Sequence, residues 1–354
     1  MSTFESPPKK CRNRKMWLLG ILALLVLGGV ACWQMMIVMP GQSYTGPLAE
    51  LERKERSLSD ELQHDVTQLA EEIGERNLDR YPSIVLAADF VENELSTAGY
   101  EVERQTYKVH DRDCWNLIVE LPGSKTPKEI VVIGAHYDSY LGTPGANDNA
   151  SGTAALLALA RRFAASKPER TLRFVAFTNE EPPYFHDSTM GSWVYAQGCR
   201  QRREDLVCVL SLETIGYYSD VKGSQEYPQP FGVFYPSEGN FIGVIGNVAS
   251  RELVRGVIDS FRRHGQFPSE GGAVPSLFPG VGSSDQWSFW QEGYPGVMIT
   301  DTAPFRYPYY HTAEDTPDKL NFDHMARVVS GVAGVIEDFA RVKLQTPAPL
   351  ADDQ

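Results

Sequence analysis

Residues 130–138 read Ile-Val-Val-Ile-Gly-Ala-His-Tyr-Asp, an apolar, β-branched run that stops on a histidine and, two residues later, an aspartate. A run that is apolar at odd and even positions alike suits a strand buried on both faces of a sheet. Four further runs share this character, at 115–121, 172–177, 207–212 and 297–300. Between and after them lie helical stretches at 153–165, 192–198, 251–264 and 324–342. Two more helices precede them. Leu58, Leu62, Val66, Leu69 and Ile73 recur at helical spacing up to Gly74, with Ser57 or Ser59 as candidate caps, and a segment through Val85, Phe90, Val91 and Leu95 stops at Gly99. Strands alternating with helices predict an α/β fold in which a largely parallel sheet is covered by helices on both sides.

The remaining composition bounds the function. With 354 residues the chain can bury a substantial core as one large domain or two small ones. Its formal charge of -13, with no basic run beyond the first fifteen residues, argues against nucleic acid as the main partner. The five cysteines (Cys11, Cys32, Cys114, Cys199 and Cys208) show neither metal-type spacing nor the density of a disulfide scaffold. They read as free thiols, although Cys199 and Cys208 could pair in an oxidising compartment.

Lys9, Lys10, Arg12, Arg14 and Lys15 precede an apolar run over 16–39 that is interrupted only by Gln34. At about 1.5 Å per residue, some two dozen residues span a hydrocarbon core of roughly 30 Å. The run has no polar stripe, unlike a helix packed into a soluble core. The basic flank predicts a cytoplasmic N-terminus with the rest outside the cytoplasm, periplasmic or extracellular. A cleaved signal peptide is the rival. The run is longer than a usual signal core, however, and Val30-Ala31-Cys32 makes a poor lipoprotein-type cleavage site, so an uncleaved single-pass anchor is expected. The expected organisation is a basic N-terminus over 1–15, the anchor over 16–39, a Pro/Gly-rich linker over 40–56, the catalytic domain over 57–343 and a disordered tail over 344–354.

In such a sheet, ligands bind beyond the carboxyl ends of the strands. The polar residues that follow the apolar runs are His136 and Asp138, Glu180 and Glu181, Glu213, and, further on, His311 and Asp315. Asp148 stands in a Gly/Asn-rich turn before an alanine-rich helix. Taken singly each has a bland reading, as a surface carboxylate, a turn residue or a cap. Jointly, at successive strand ends, they point to a metal centre. Imidazole with carboxylate suits zinc better than calcium or magnesium, and cobalt or manganese could substitute. Asp138 can accept the other imidazole N–H of His136. Five candidate ligands (His136, Asp148, Glu181, Glu213 and His311) exceed a mononuclear site, and a shared carboxylate would make it dinuclear. Two ions about 3.5 Å apart would polarise a scissile carbonyl and activate water, with Glu180 as general base. His64, His110, His186, His264 and His324 lack carboxylate company and read as structural or surface residues.

The motifs GAHYDS (134–139), GANDNASG (145–152), TNEE (178–181), LSLETIGYY (210–218), SSDQWSFW (283–290) and YYHTAEDTPDKL (309–320), in this order, resemble the co-catalytic dizinc aminopeptidases, peptidase family M28. The resemblance implies a phosphorylase-like α/β/α sandwich with a mixed sheet. It implies that His136 and Glu213 hold one zinc and Glu181 and His311 the other, with Asp148 bridging and followed by a cis peptide bond. It also implies Glu180 as base; Asp138 is counted with Glu180 as a catalytic residue through its expected contact with the His136 imidazole. Relatives often carry histidine where this chain has Gln286, which is expected at the pocket rim. The 181–191 loop and Phe289, Trp290, Phe305, Arg306, Tyr307, Tyr309 and Tyr310 are expected near the site, an aromatic-rich mouth for an apolar side chain, with a core role expected for about half of these residues. The leading function is removal of N-terminal residues from peptides. Glutaminyl cyclases, with one zinc, and inactive receptor-like ectodomains resemble the same fold and are the alternatives.

Overall fold

The computed structural model of the chain describes residues 10–342, so the first nine residues of the expected basic N-terminus and the expected 344–354 tail lie outside it. Residues up to Val38 and residues from Met39 onward form separate compact units. The first is helix α1 (Lys10–Met36). Its segment Met16–Met36 is long and apolar enough to cross a membrane, by length and composition alone, a test that a signal sequence also passes. None of that stretch is buried, which is the opposite of a core helix.

The second unit begins with α2 (Arg53–Thr67) and α3 (Tyr81–Thr97), then strands β1 (Glu103–Val109), β2 (Arg112–Leu121) and β3 (Thr126–His136). It continues with α4 (Gly152–Phe163), β4 (Arg170–Phe177), α5 (Gly191–Arg202), β5 (Asp205–Glu213) and a small hairpin, β6 (Ser219–Lys222) with β7 (Glu238–Gly239). Then come β8 (Ile242–Gly246), α6 (Arg251–His264), β9 (Ser269–Ala273), α7 (Gln286–Gln291), β10 (Val297–Thr300) and α8 (Phe322–Phe339). Eight strands form one sheet in the order β1-β2-β4-β3-β5-β10-β8-β9. The central four, β4, β3, β5 and β10, run parallel. The flanks mix antiparallel pairs (β1–β2, β2–β4, β8–β10) with the parallel pair β8–β9.

The unbroken apolarity of 130–135 follows from burial on both faces. Val131, Ile133 and Ala135 pack with residues of α2, α3, α4, α6 and α8, while Ile130 and Val132 pack with Tyr195, Ala196 and Cys199 of α5 and Phe289 of α7. Cys208 lies in the first cluster and Cys199 in the second, so the two thiols are on opposite sides of the sheet, both buried and unpaired. The five expected strands are all present. Five more lie outside those runs, the two of the small hairpin and three of the main sheet, and each of those three has a composition that hides a strand: β1 is a half-exposed polar edge, β8 is short and glycine-flanked, and β9 reads SEGGA. For them, pairing to neighbours outweighs intrinsic propensity.

Candidate metal centre

The parallel register places His136 beside Phe177 and Glu213 beside Thr300, so the carboxyl ends of the four central strands open on one crevice. His136 is the last residue of β3 and Glu213 the last of β5. Asn179 and Thr214 adopt left-handed backbone (φ 59° and 44°), which turns the chain sharply beside Glu180 and Glu213, and His311 itself has φ 57°. Such conformations are costly for residues other than glycine and gather where surrounding structure over-determines them. Here that structure is a set of hydrogen bonds. Asp138 accepts the backbone N–H of Glu180 at 3.2 Å and of Glu181 at 3.1 Å. Asp315 accepts the N–H groups of Asn147 at 2.8 Å and Asp148 at 3.1 Å. The amide of Asn149 donates to the Leu212 carbonyl and accepts the Thr214 N–H, and the Asp148–Asn149 bond is cis.

These constraints bring all five candidate ligands together. His136, Asp148 and Glu213 form one triad and Asp148, Glu181 and His311 a second, each with ligand atoms within 4.8 Å of one another. Asp148 belongs to both. Its Oδ1 lies 3.5 Å from His136 Nε2 and its Oδ2 lies 3.1 Å from His311 Nε2. Glu213 Oε2 is 3.2 Å from His136 Nε2, and Glu181 Oε2 is 3.4 Å from His311 Nε2. Glu180 Oε2, 3.9 Å from His136 Nε2, stands beside the first triad and belongs to neither. The His311 ring is held between Tyr140 and Tyr310, with ring centroids 3.9 and 3.8 Å away.

The electrostatics of the group fit cation binding. Burial pushes Glu180 well above the usual carboxyl range, and burial together with Asp148 carries Glu181 up to about 8. Burial would lower both imidazoles, yet Glu213 and Glu180 hold His136 well above its ordinary value, and Asp148 and Glu181 hold His311 at about 10. Burial likewise opposes ionisation of Asp148, but the two imidazoles outweigh it and draw its pKa down. His311 Nε2 and Glu181 Oε1 are buried with no hydrogen-bond partner, as expected of donor atoms reserved for an ion. Nitrogen and carboxylate donors in this mix suit zinc.

The sequence profile of peptidase family M28 matches residues 116–336, which include every residue of both triads. The chain belongs to peptidase family M28. It is therefore a metallopeptidase. It is 34% identical over 282 residues to the uncharacterized protein YfbL of Escherichia coli, covering 77% of this chain and 86% of that one. The fold is similar to that of a zinc aminopeptidase from Bacillus subtilis (TM-score 0.62, 15% identity, covering 82% of this chain and 96% of that one). It is also similar to that of Fimbriiglobus ruber glutaminyl cyclase (TM-score 0.60, 20% identity, covering 85% and 99%).

Within this M28 site the supporting residues match expectation in part. Asp138 Oδ1 is 3.4 Å from His136 Nδ1, a looser contact than a hydrogen bond, and Asp138 instead clamps the Glu180–Glu181 turn. Gln286 is fully buried instead of lying at the rim. It opens α7, so its side chain turns inward and donates to the Val281 carbonyl at 3.1 Å. Of the seven aromatic and cationic residues expected near the site, three are buried, in keeping with a core role for about half: Phe289 is core, Tyr307 donates to Asp315 at 2.9 Å, and Arg306 is buried against Gln225 and the Phe241 carbonyl. Phe305 and Tyr310 do line the pocket beside the centre. Sequence reading missed Ser284, which donates to Glu213 Oε2 at 2.7 Å, and the fully buried Arg76. Neither follows an apolar run, so strand-end reasoning had no signal for them.

Proposed function

We propose that this chain is an aminopeptidase that removes N-terminal residues from peptides outside the cytoplasm, with two zinc ions held by His136, Asp148 and Glu213 and by Asp148, Glu181 and His311. The observation that carries this reading is the pair of triads sharing Asp148, whose two oxygens face different imidazoles. Zinc bound there would supply Lewis-acid polarisation of the scissile carbonyl and make water acidic enough to attack near neutral pH. The protein's own groups do the rest. Glu180, outside both triads, takes the proton of the attacking water and passes it to the leaving amine. Asp138 is a positioning residue, because its carboxylate fixes the backbone that carries both Glu180 and Glu181. Ser284 holds the Glu213 carboxylate in one rotamer through its hydroxyl.

Purified protein should contain about two zinc ions per chain, lose hydrolysis of aminoacyl-nitroanilides on chelation, and regain it with zinc or cobalt. Glutaminyl cyclase is the rival on the same fold. One ion per chain after dialysis, with loss of ammonia from a glutaminyl peptide in place of hydrolysis, would establish the cyclase instead.

The proposed location rests on the basic flank ahead of a membrane-length helix. Fractionation should leave the protein in the membrane pellet, with the large unit digested by protease added from the non-cytoplasmic side. Recovery of an N-terminally trimmed soluble form would refute the anchor.

A further inference from the structure

The row of side chains that contains Glu213 continues across the sheet to a second glutamate. Registered neighbours in a sheet point to the same face. Glu213 pairs with Thr300, Thr300 with Gly243, and Gly243 with Glu270. All four line one pocket, which also touches Tyr310, the residue stacked on His311. The row therefore runs from the metal centre outward to β9. Its walls are aromatic, formed by Tyr227, Phe231, Tyr235, Phe278 and Phe305. At Gly243 the floor has no side chain, and a Cβ there would approach the Thr300 carbonyl oxygen to 3.2 Å and the Thr302 methyl to 3.4 Å.

Glu213 and Glu270 are the acidic groups among the described residues that line this pocket, and no lysine, arginine or histidine lines it. Glu270 is half-buried, its carboxyl raised by burial, and it also borders the outer groove beside Asn240. The charge of Arg262 reaches it, but that guanidinium donates to Ser269 Oγ, the Ser269 carbonyl and the Pro40 carbonyl, and makes no ion pair with Glu270. An apolar pocket that ends on a carboxyl group without an ion-pair partner is poorly matched to an aliphatic side chain. It is well matched to a long aliphatic stem that ends in a cation.

We propose that Glu270 sets the specificity of this pocket, so that the enzyme favours peptides beginning with arginine or lysine, whose stem lies over Gly243 between the aromatic walls and whose cation pairs with Glu270. This rests on the aminopeptidase reading, and the test separates the two. The full chain is assayed on arginyl-, lysyl-, norleucyl- and leucyl-nitroanilide, and the binding of argininamide and norleucinamide is measured by calorimetry. The wild type should show kcat/KM for the basic substrates at least about tenfold above norleucyl. Glu270→Gln should lower the basic substrates by roughly ten- to a hundredfold and leave norleucyl within about threefold. Glu270→Asp should restore part of the preference. A wild type that favours norleucyl or leucyl, or a Glu270→Gln variant that changes all substrates equally, overturns the assignment. If nothing is hydrolysed but argininamide binds more tightly than norleucinamide and Glu270→Gln abolishes the difference, the aminopeptidase reading fails and the pocket assignment stands. Equal binding of the two amides to wild type overturns the pocket assignment whatever the activity.

Discussion

Glu180→Gln should lower kcat by about a hundredfold to ten-thousandfold while the protein keeps its full complement of metal. The two neighbouring glutamates share a buried turn, and both backbone N–H groups donate to Asp138, yet their side chains face different partners. Glu181 Oε2 points at His311 and belongs to a triad, whereas Glu180 belongs to none. An amide at 180 preserves shape and hydrogen-bonding size but cannot accept and release a proton, so substrate affinity should persist and turnover should not. An amide at 181 is a weaker metal donor than a carboxylate. Glu181→Gln should therefore lower zinc content, and added zinc should rescue part of its activity. The decisive comparison is metal analysis beside steady-state kinetics on both variants. If Glu180→Gln loses metal while Glu181→Gln keeps it and is inactive, the roles are exchanged.

Arg76→Met should destabilise the large unit by about 3–5 kcal/mol and lower its Tm on the order of 5–10 °C. Arg76 is fully buried, and its guanidinium has no carboxylate partner at hydrogen-bond distance among the described residues. Its donors end on main-chain carbonyls instead: Tyr137 at 2.7 Å, Gly145 at 2.7 Å, Gly74 at 3.3 Å, Leu69 at 3.4 Å, and Pro144. Its backbone N–H donates to Ser139 Oγ at 3.1 Å, and its carbonyl accepts the Ser139 N–H at 2.9 Å. One side chain thus joins the segment after His136 to the segment before Asp148. Gly145 allows this closeness. It has φ 61°, and a Cβ there would sit 2.4 Å from the Asp148 carbonyl oxygen and 2.6 Å from Ser139 Cβ. Burial draws Arg76 down to about 10, against the pull of Asp315, Asp138, Asp148 and Glu181, so it remains a cation at neutral pH beneath the carboxylates. Methionine fills the volume but strands those carbonyls, each a buried acceptor worth about 1–3 kcal/mol if left unpaired. Thermal melts of Arg76→Met should show the lower Tm, and zinc titration a weaker affinity, because the segments that carry His136 and Asp148 lose their shared anchor. A Tm within about 2 °C of wild type would mean that water or a shifted loop satisfies the carbonyls and that Arg76 does not hold the centre.

The sequence by itself determined the element types of the long, strongly periodic segments, because side-chain burial on one or two faces imposes a period that can be read from near neighbours alone. It also located His136, Glu180, Glu181 and Glu213, because a polar residue ending a doubly buried strand emerges at the sheet's carboxyl edge by chain geometry. Asp148 and His311 came from the joint pattern with the others, since a turn aspartate or a loop histidine is unremarkable alone. Only the tertiary structure decided which oxygen of Asp148 faces which imidazole, that Asp138 holds the Glu180–Glu181 turn, and that Gln286 turns inward. It alone joined Arg76 to Gly145, 69 residues away, and Ser284 to Glu213, 71 residues away. Glu270 looked like a polar residue in a glycine-rich stretch until strand register set it in line with Glu213. These are contacts between segments distant in the chain, set by register and by the crossing of loops, and no local periodicity encodes them.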